Sequence, residues 1–558
     1  MMTIQQISDT QEGRTQKKYI AWQMYLSFVG LALGGLFGLF QAFDRIGYDA
    51  YAEGGAAGAL GIESYYQGLT IHGVTMAIVF TFTFSNSLLQ WAVARGFGRP
   101  LASTALVATS FWLSAVGIAM AATMMVLNEA TVLYTMYAPM QASWIYYLGA
   151  ALLVVSTWVV LGNQLLTLRA WRKDGNAGAK IPLLSYVSII TYLMWFLASL
   201  GIAVQVLVLL IPWSLGWTSG VDPLMSRTLF WFSGHPIVYF WLLPAYVSWY
   251  MMVPRKAGGR LFSDPIVRVV FIMFLLLSTP VGLHHQFTDP GVDSGLKFMH
   301  GMLTFGVFFP SMVTAFTLMA AFEDGGRRKG GKGLLGWIPK MPWGDAASSA
   351  QILAMVSFLF GGASGLINAS YTVNLVVHNT SFVPGHFHMT VGSAVALSFM
   401  GISYWLVPHL TGKRLFSNKL AVAQGWIYFA GVMIFGRGLM ASGLEGQPRR
   451  VPISQATYSR AEWLAGDAIG AIGGILMVVA GLMFFYVILR TLLWKEPATA
   501  EELDMPISEA VRGEDEAPAI LDRLGFWFIV ATVLVLIAYV PAFINIGYEG
   551  LSPTWQPW

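Results

Sequence analysis

Two histidines separated by a single residue, His386 and His388, lie near the start of an apolar stretch that runs from Thr380 to His409. About 20 apolar residues suffice for one transmembrane helix, so the stretch is long enough to cross a membrane. Residues two apart on a helix differ by about 200° in direction, and the two imidazoles therefore point to opposite sides. Titratable side chains inside a membrane are costly and are usually kept for function. The alternative is a pair of histidines at the water interface, but the spacing favours one helix that serves two centres.

The composition limits what such centres can be. The chain has 558 residues, of which 56% are hydrophobic and 11% charged, with a mean hydropathy of +0.62. These values are typical of a polytopic membrane protein and not of a soluble enzyme with an anchor. Cysteine is absent, which excludes disulfides, iron–sulfur clusters, thiolate-bound copper and cysteine-attached haem on this chain. Any metal must therefore be held by oxygen ligands or by some of the nine histidines.

Hydrophobic spans follow one another along the whole chain, with no soluble domain between them. The predicted fold class is all-α, a polytopic bundle of about 13 transmembrane helices in a single membrane domain that covers residues 1–558. The longest polar interruptions are 323–345 and the acidic linker 495–520. The predicted spans are 20–43, 65–94, 102–127, 141–170, 182–212, 226–253, 265–286, 295–321, 347–372, 380–410, 417–442, 464–494 and 521–547.

The distribution of Lys and Arg predicts the orientation of these spans. Positive residues are concentrated on the cytoplasmic side of membrane proteins. With the spans drawn above, most of the 32 Lys and Arg residues fall on the side of the N-terminus. The N-terminus is therefore predicted inside and the C-terminus outside. The residues left on the outer side are Arg45, Arg227, Lys297, Arg437, Arg449, Arg450 and Arg460.

This topology places six histidines at one depth. The second, sixth and tenth spans run inward and carry histidines near their outer ends, whereas the seventh runs outward and ends in a pair. All six are expected about 10–15 Å below the outer surface, at 1.5 Å per residue. Any one of them alone could be an interfacial or hydrogen-bonded histidine, but six at one depth predict a metal centre. They are His72, His235, His284, His285, His386 and His388.

Six imidazoles suit two haems and one copper ion. Haem iron takes two imidazoles for electron transfer and one where a substrate must bind, and copper accepts three imidazoles with an open position. Because His386 and His388 face opposite ways, one can serve a six-coordinate haem and the other a five-coordinate haem. His72, on another helix, can complete the first haem site. The remaining three histidines, from two further spans, are left for copper.

Three motifs carry a resemblance to a known family. The sequences GHPIVY at 234–239, His284-His285 and His386-Phe387-His388 resemble the signature of subunit I of the haem–copper oxygen reductases (cytochrome c oxidase), and the resemblance extends over essentially the whole chain. It implies that the high-spin haem is of the a type and that the low-spin haem is haem b. The implied ligands are His72 and His388 for haem b, His386 for the high-spin haem, and His235, His284 and His285 for copper.

The resemblance also implies a catalytic role for Tyr239. This tyrosine lies four residues after His235, on the same helical face. In the family, the corresponding tyrosine is covalently joined to that histidine and lends an electron and a proton to O–O cleavage. A packed or interfacial tyrosine is the alternative.

Two departures from the commonest branch of the family indicate the B-type (ba-type) branch. The commonest branch has Glu where this chain has Ile237. It also uses an Asp in the inner loop between the second and third spans, and that loop here reads ARGFGRP at 94–100, without an acid. One of the two proton routes of that branch is therefore missing.

Two stripes of hydroxyl side chains predict the remaining proton route. They lie on the sixth and eighth spans and run from the predicted copper site toward the inner face. Such stripes can also simply bond helices together, but these match the B-type proton path at every position. The expected route is Thr317, Tyr250, Thr314, Ser311, Tyr246 and Tyr239. The family's carboxylate at the inner mouth is missing, so a partner subunit is expected to supply it.

Several polar residues are predicted near the haem propionates. Arg449 and Arg450 lie in an outer loop at the level of the histidines, where paired guanidiniums suit propionates; a solvated loop is the alternative. The resemblance places His378 beside a propionate of the high-spin haem, with Asn374 at the same level. A close B-type relative is expected to have Asp at position 374, so the Asn leaves the exit site for pumped protons open.

The resemblance implies the catalytic subunit of a terminal respiratory oxidase, which reduces O2 to water and pumps protons in a prokaryotic cytoplasmic membrane. Because the chain lacks cysteine, electrons are expected from cytochrome c through a subunit II with a dinuclear copper site, and small single-helix subunits can accompany it. One alternative is a nitric oxide reductase-like enzyme, which has iron in place of copper and lacks the tyrosine. A non-enzymatic haem b electron-transfer subunit would leave three histidines unexplained. A transporter should show internal repeats.

Overall fold

The computed structural model describes residues 4–550 and is a bundle of long helices. The described residues contain 12 helices that are long and apolar enough to cross a membrane, as expected where every backbone polar group must be satisfied within its own helix. Together with one shorter helix, they are labelled α1 to α13 in chain order: Gln11–Asp44, Tyr65–Phe97, Thr104–Val126, Trp144–Asn176, Leu183–Ser214, Pro223–Ala257, Asp264–Leu277 (α7, the shorter one), Ser294–Arg328, Ala346–Ala369, Phe382–Thr411, Asn418–Leu444, Ala461–Leu493 and Leu524–Gly547.

Short elements connect these helices. Strand β1, Leu261–Ser263, pairs in parallel with β2, Ala510–Arg512, so the acidic linker is bound to the chain just before α7. The short helices are Ile4–Asp9, Tyr371–Val377 and Ala500–Leu503. Single 3₁₀ turns lie at Gly58–Leu60, Gly282–Gln286, Ile338–Lys340, Ile453–Gln455, Glu514–Glu516 and Ala519–Asp522.

The ends of the long helices follow ordinary capping rules. Ser103, Asp222 and Asp345 each precede a helix and accept a hydrogen bond from a backbone N–H of its first turn, which satisfies a donor that has no partner within the helix. At the other end, α2 and α10 end at Gly98 and Gly412, both with a left-handed backbone that favours glycine.

The predicted all-α membrane fold is confirmed, but the seventh span is not the continuous helix that was predicted over 265–286. Helix α7 ends at Leu277, and the chain becomes irregular before the turn Gly282–Gln286. Pro280 explains the break: it lacks an N–H for the helical ladder, and its ring disfavours helical geometry in Thr279 before it.

The broken seventh segment still crosses the bundle. Before α7, the Arg260 N–H donates to the Asp324 carboxylate near the end of α8. After α7, His284 bonds Thr304 near the start of α8. Twenty residues of α8 separate these contacts, which is about 30 Å at 1.5 Å per residue and equals the hydrocarbon thickness of a bilayer. Residues 4–550 therefore make thirteen passes, twelve of them as long helices.

Candidate metal centre

Three imidazoles converge between α6 and the turn that follows α7. The possible ligand atoms of His235, His284 and His285 all lie within 4.8 Å of one another. The Nδ1 of His235 is 3.2 Å from the Nε2 of His285. The Nδ1 of His284 is bonded at 2.9 Å to the Thr304 hydroxyl of α8, which leaves its Nε2 for a ligand. The cluster thus offers three nitrogens to one point, a donor set suited to copper.

The break after α7 lets two adjacent histidines reach the same point. Neighbouring residues on an α-helix point about 100° apart, whereas here the ring centroids of His284 and His285 lie 4.5 and 5.5 Å from that of His235. Trp231, one turn before His235, stacks on His285 at 3.9 Å with the ring planes 6° apart. The indole holds the imidazole in the orientation that the cluster needs.

Tyr239 lies beside this cluster, one helical turn after His235 on α6. Its ring centroid is 5.0 Å from that of His235. The Nε2 of His235, the ring nitrogen that does not face His285, is buried and has no hydrogen-bond partner in the part of the chain that the structure describes. A buried nitrogen without a partner is costly, so a bond to this atom would be favourable.

His72 and His388 face each other across a gap. Their ring centroids are 6.2 Å apart and their planes differ by 9°. The Nδ1 of His72 is bonded to the Gly34 carbonyl and that of His388 to the Pro384 carbonyl, both at 2.7 Å. Carbonyl bonds of this kind fix the tautomer of metal-binding histidines and turn the other nitrogen toward the metal. With metal–nitrogen bonds of about 2 Å, one iron fits between the two rings.

A cavity of about 410 Å³ surrounds this gap. It is lined mainly by apolar side chains, with Arg45, Arg449 and Arg450 at one end. Gly38 keeps it open, because a Cβ at that position would lie 2.9 Å from the His72 ring. A largely apolar slot with guanidiniums at one end and an imidazole on each side fits a haem with its propionates toward the arginines.

His386 belongs to the other flank of α10. Its Nδ1 lies 2.9 Å from the Ser364 hydroxyl and 3.1 Å from the Gly361 carbonyl, both on α9, and it is an electrostatic neighbour of His235. The neighbouring glycine Gly365 leaves room, since a Cβ there would lie 3.2 Å from the imidazole. The two histidines of α10 therefore have different surroundings, and His386 fits the single ligand of a haem beside the three-histidine cluster.

Both predicted arginines reach the cavity. Asn379 Oδ1 accepts from Arg449 Nε at 3.2 Å and Nη2 at 2.9 Å, while the Arg450 guanidinium lies over the Tyr134 ring at 5.7 Å. Burial and the adjacent Arg450 lower the pKa of Arg449 to about 10. Within residues 4–550, neither guanidinium has a carboxylate partner. Two adjacent cations in this position suit an anionic group such as a propionate pair.

His378 and Asn374 are in contact, outside the long helices. The Nδ1 of His378 is 2.9 Å from the Asn374 side-chain oxygen. The Asn374 amide in turn donates to the Asn368 carbonyl at 2.7 Å. Burial, and secondarily the charge of Arg449, lower the pKa of His378 to about 4, so the imidazole is neutral at neutral pH. Asn374 itself cannot take up a proton.

The two hydroxyl stripes face each other between α6 and α8. The Tyr250 hydroxyl donates to Thr314 at 2.8 Å and the Tyr246 hydroxyl donates to Ser311 at 3.2 Å. Thr317, buried like Thr314, lies one turn further from the histidines. Tyr246, Tyr250 and Thr314 are at most 2% exposed. The structure therefore brings four of the six predicted hydroxyls into two cross-helix pairs.

The remaining two of the nine histidines, His300 and His409, have protein partners at both ring nitrogens. His300 contacts the Leu283 N–H and the Ala538 carbonyl. His409 accepts from the Trp91 indole at 2.6 Å and contacts the Leu503 carbonyl. Neither ring has a nitrogen left for a metal.

Sequence reasoning missed the residues that orient the histidines. Ser364 and Thr304 each bond a ligand candidate from another helix, and nothing in the sequence pairs them with it. Trp231 lies four residues before His235, a helical spacing that could have indicated it. Irregular π-helical turns directly after His72, at Thr75–Phe80, and after His388, at Thr390–Val395, were also missed; such turns are frequent at functional sites.

Comparisons with known proteins agree with this geometry. The family model of cytochrome c and quinol oxidase polypeptide I matches residues 18–476. Cytochrome c oxidase subunit 1 of Thermus thermophilus is 44% identical over 99% of both chains. Cytochrome c oxidase polypeptide 1 of Halobacterium salinarum is 26% identical over 79% of this chain and 73% of its own.

A solved structure gives the same result. The structure of a haem–copper terminal oxidase dimer matches with a TM-score of 0.91 and 36% identity, covering 97% of this chain and 95% of that chain. The match therefore extends over nearly the whole chain. This chain belongs to the family of cytochrome c and quinol oxidase polypeptide I, the subunit I of haem–copper oxidases.

Proposed function

We propose that this chain is the catalytic subunit of a B-type terminal respiratory oxidase that reduces O2 to water and pumps protons. The observation that carries the proposal is the cluster of His235, His284 and His285 with Tyr239 beside it. An electron-transfer protein needs haem sites with both axial positions filled. A three-histidine site next to a single-histidine haem site leaves positions open for a substrate.

The proposed cofactors are a low-spin haem b, a high-spin haem of the a type and one copper ion. His72 and His388 hold the low-spin haem, His386 holds the high-spin haem, and the three-histidine cluster holds copper. When bound, these groups would pass electrons to O2 and supply the position at which it binds. Arg449 and Arg450 balance the propionate charge, with His378 and Asn374 on the same side.

Tyr239 is the proposed proton and electron donor of the chain itself. The unpartnered Nε2 of His235 supports a covalent bond between the two side chains, because such a bond would remove the cost of a buried nitrogen without a partner. Its formation breaks the N–H bond of the imidazole and one C–H bond of the phenol ring and releases two protons and two electrons, which O2, the substrate of the proposed reaction, takes up. Protons reach Tyr239 through Thr317, Tyr250, Thr314, Ser311 and Tyr246, with water bridging the gaps between the pairs.

The proposed orientation has the histidine end of the bundle outside and the acidic linker inside, in a prokaryotic cytoplasmic membrane. Electrons come from cytochrome c through a subunit II with a dinuclear copper site, and small single-helix subunits can complete the assembly. We place the helical partner on one exposed face of α8, whose large apolar residues alternate at spacings of four and three. This face consists of Phe298, Met302, Phe305, Phe309, Met312, Phe316 and Met319. A partner there also lies near Thr317, where a carboxylate is needed.

Metal analysis of the purified protein tests the cofactor set. We expect two irons and one copper per chain. His284→Ala should remove most of the copper and keep both haems, because it deletes one of three imidazoles without touching a haem ligand. His300→Ala is the matched control, since His300 is equally buried but bonded at both nitrogens. Iron in place of copper would instead support the nitric oxide reductase alternative.

A second variant tests the assignment of the two histidines on α10. His388→Ala should abolish the low-spin haem spectrum, because one of two axial ligands is lost. Carbon monoxide binding at the other haem should remain, since His386 keeps its own contacts with α9. Absorption spectra of the reduced protein with and without carbon monoxide measure both. Loss of the carbon monoxide complex with an intact low-spin spectrum would reverse the assignment.

A further inference from the structure

Asp467 is a buried carboxylate near the low-spin haem cavity to which the proposed function assigns no role. Asp467 lies on α12, six residues after the helix begins, and is 2% exposed. Among the described residues its hydrogen-bond partners are neutral side chains, Ser442 and Gln447. An ionisable group inside a membrane helix is expensive and is by default a candidate for function.

Gln447 connects Asp467 to the haem cavity. Its amide nitrogen donates to Asp467 Oδ2 at 2.6 Å. Its amide oxygen accepts from Arg45 at 2.7 Å and from Ser381 at 2.6 Å. Because arginine can only donate, the atom of Gln447 that faces Arg45 must be the amide oxygen. The amide nitrogen therefore faces Asp467, and Asp467 Oδ2 must act as an acceptor. Arg45 lines the cavity between His72 and His388, so two hydrogen bonds join the carboxylate to the cavity wall.

The direction of the hydrogen bond between Ser442 and the other oxygen of Asp467 depends on whether the carboxyl group is protonated. The Ser442 hydroxyl lies 3.0 Å from Asp467 Oδ1 and 3.1 Å from the Trp463 carbonyl. A hydroxyl has one proton to donate and lone pairs to accept. If Ser442 donates to the carbonyl, its contact with Asp467 is satisfied only by a proton on Oδ1. If Asp467 is ionised, Ser442 turns to donate to it instead.

The local packing is built around this hydroxyl. A Cβ at Gly466 would lie 2.3 Å from the Ser442 oxygen, so only glycine at this position leaves room for the serine. One rotation of the Ser442 hydroxyl then serves both states of Asp467 without a change in the backbone. The site can therefore hold a proton or release it at little structural cost.

The other buried carboxylate at this end, Asp44 on α1, is arranged differently. It accepts from the Ile453 N–H at 2.7 Å and from the Ser454 hydroxyl. The ionised form of Asp44 satisfies both contacts. A backbone N–H cannot accept a hydrogen bond from a protonated carboxyl group, so the contact with Ile453 favours the ionised form. Among the described residues, the charged groups near Asp467 are Arg45, directly after α1, and, beyond it, Asp44; the side chain of α11 that contacts Asp467 is the neutral Ser442.

We propose that Asp467 binds a proton when an electron resides on the low-spin haem and releases it when the electron moves on. This inference rests on the proposed function. An electron in the cavity weakens the positive potential that Arg45 provides at Asp467, which favours the uncharged acid. One proton from solvent then accompanies each electron and balances its charge. Asn374 cannot titrate, and Asp467 supplies a carboxylate at the same end of the bundle.

Redox-difference infrared spectroscopy of the haem-loaded protein tests the proposal. Reduction should produce a C=O stretching band of a protonated carboxylic acid, which shifts in D2O. Asp467→Asn should abolish this band and keep the haem spectra, because the amide preserves the shape and the bonds to its neighbours. Asp44→Asn is the matched control and should retain the band. Persistence of the full band in Asp467→Asn would overturn the proposal.

A second variant covers the case in which Asp467→Asn does not assemble. Ser442→Ala removes the hydroxyl but leaves the carboxylate, so the band should remain and shift in frequency. An unshifted band would overturn the proposal. The infrared measurement does not depend on oxygen turnover or pumping, so a failure of the proposed function appears separately, as absent pumping in the unmodified protein.

Discussion

Tyr239→Phe is expected to lower oxygen turnover by about 100-fold or more, the typical contribution of a positioned proton donor. The variant keeps the aromatic ring, which packs against His235 and Phe274, and removes only the phenolic oxygen. Copper and iron content should therefore survive. Oxygen consumption with an artificial electron donor, measured beside metal content and haem spectra, checks the prediction.

The control for this variant is another buried tyrosine. Tyr192→Phe removes a hydroxyl that bonds Asn86 on α2, at 2.6 Å, without contact with a histidine of the metal centre. It should cost stability but not turnover per assembled enzyme. Near-normal oxygen turnover in Tyr239→Phe would make Tyr239 structural and would reopen the nitric oxide reductase alternative, because the tyrosine would no longer count against it.

The sequence predicts the fold well because the membrane leaves few choices. In a bilayer an apolar stretch of sufficient length must form a helix to satisfy its backbone, so span positions follow from composition alone. The seventh span shows where this reasoning stops. Composition extends it to residue 286, but Pro280 ends the helix earlier, at Leu277. A hydropathy profile does not show that a proline interrupts the hydrogen bonds of a helix.

The histidines could also be predicted from the sequence, because their spacing and their common depth in the membrane indicate that they lie close together. What orients them was not. The Ser364 contact with His386 joins residues 22 apart, and the Arg45 contact with Gln447 joins residues 402 apart. Such pairs depend on how helices pack against one another, which periodicity within one helix does not determine. Asp467 was not predicted for the same reason: its contacts come from other segments, and in the sequence it is a single polar residue near the start of a helix.

Thr314→Val is expected to lower both turnover and proton uptake by about 10-fold to 100-fold. In the structure Thr314 accepts from Tyr250 at 2.8 Å and itself donates to the Pro310 carbonyl. Valine puts a methyl group in place of this hydroxyl, in the middle of the route and where little space remains for water, since Thr314 is 2% exposed. The two side chains have nearly the same volume, so folding and haem content should hold.

Two further variants separate a broken route from a general loss of hydroxyls. Ser311→Ala should have a mild effect, because a water molecule can replace a small hydroxyl beside Tyr246. Thr191→Val is the matched control: Thr191 is buried and bonds a carbonyl of its own helix α5, at 2.8 Å, away from α6 and α8. Oxygen consumption and proton movement in reconstituted vesicles measure all three. Full turnover with full pumping in Thr314→Val would contradict a single route, and lost pumping with intact turnover would require a second one.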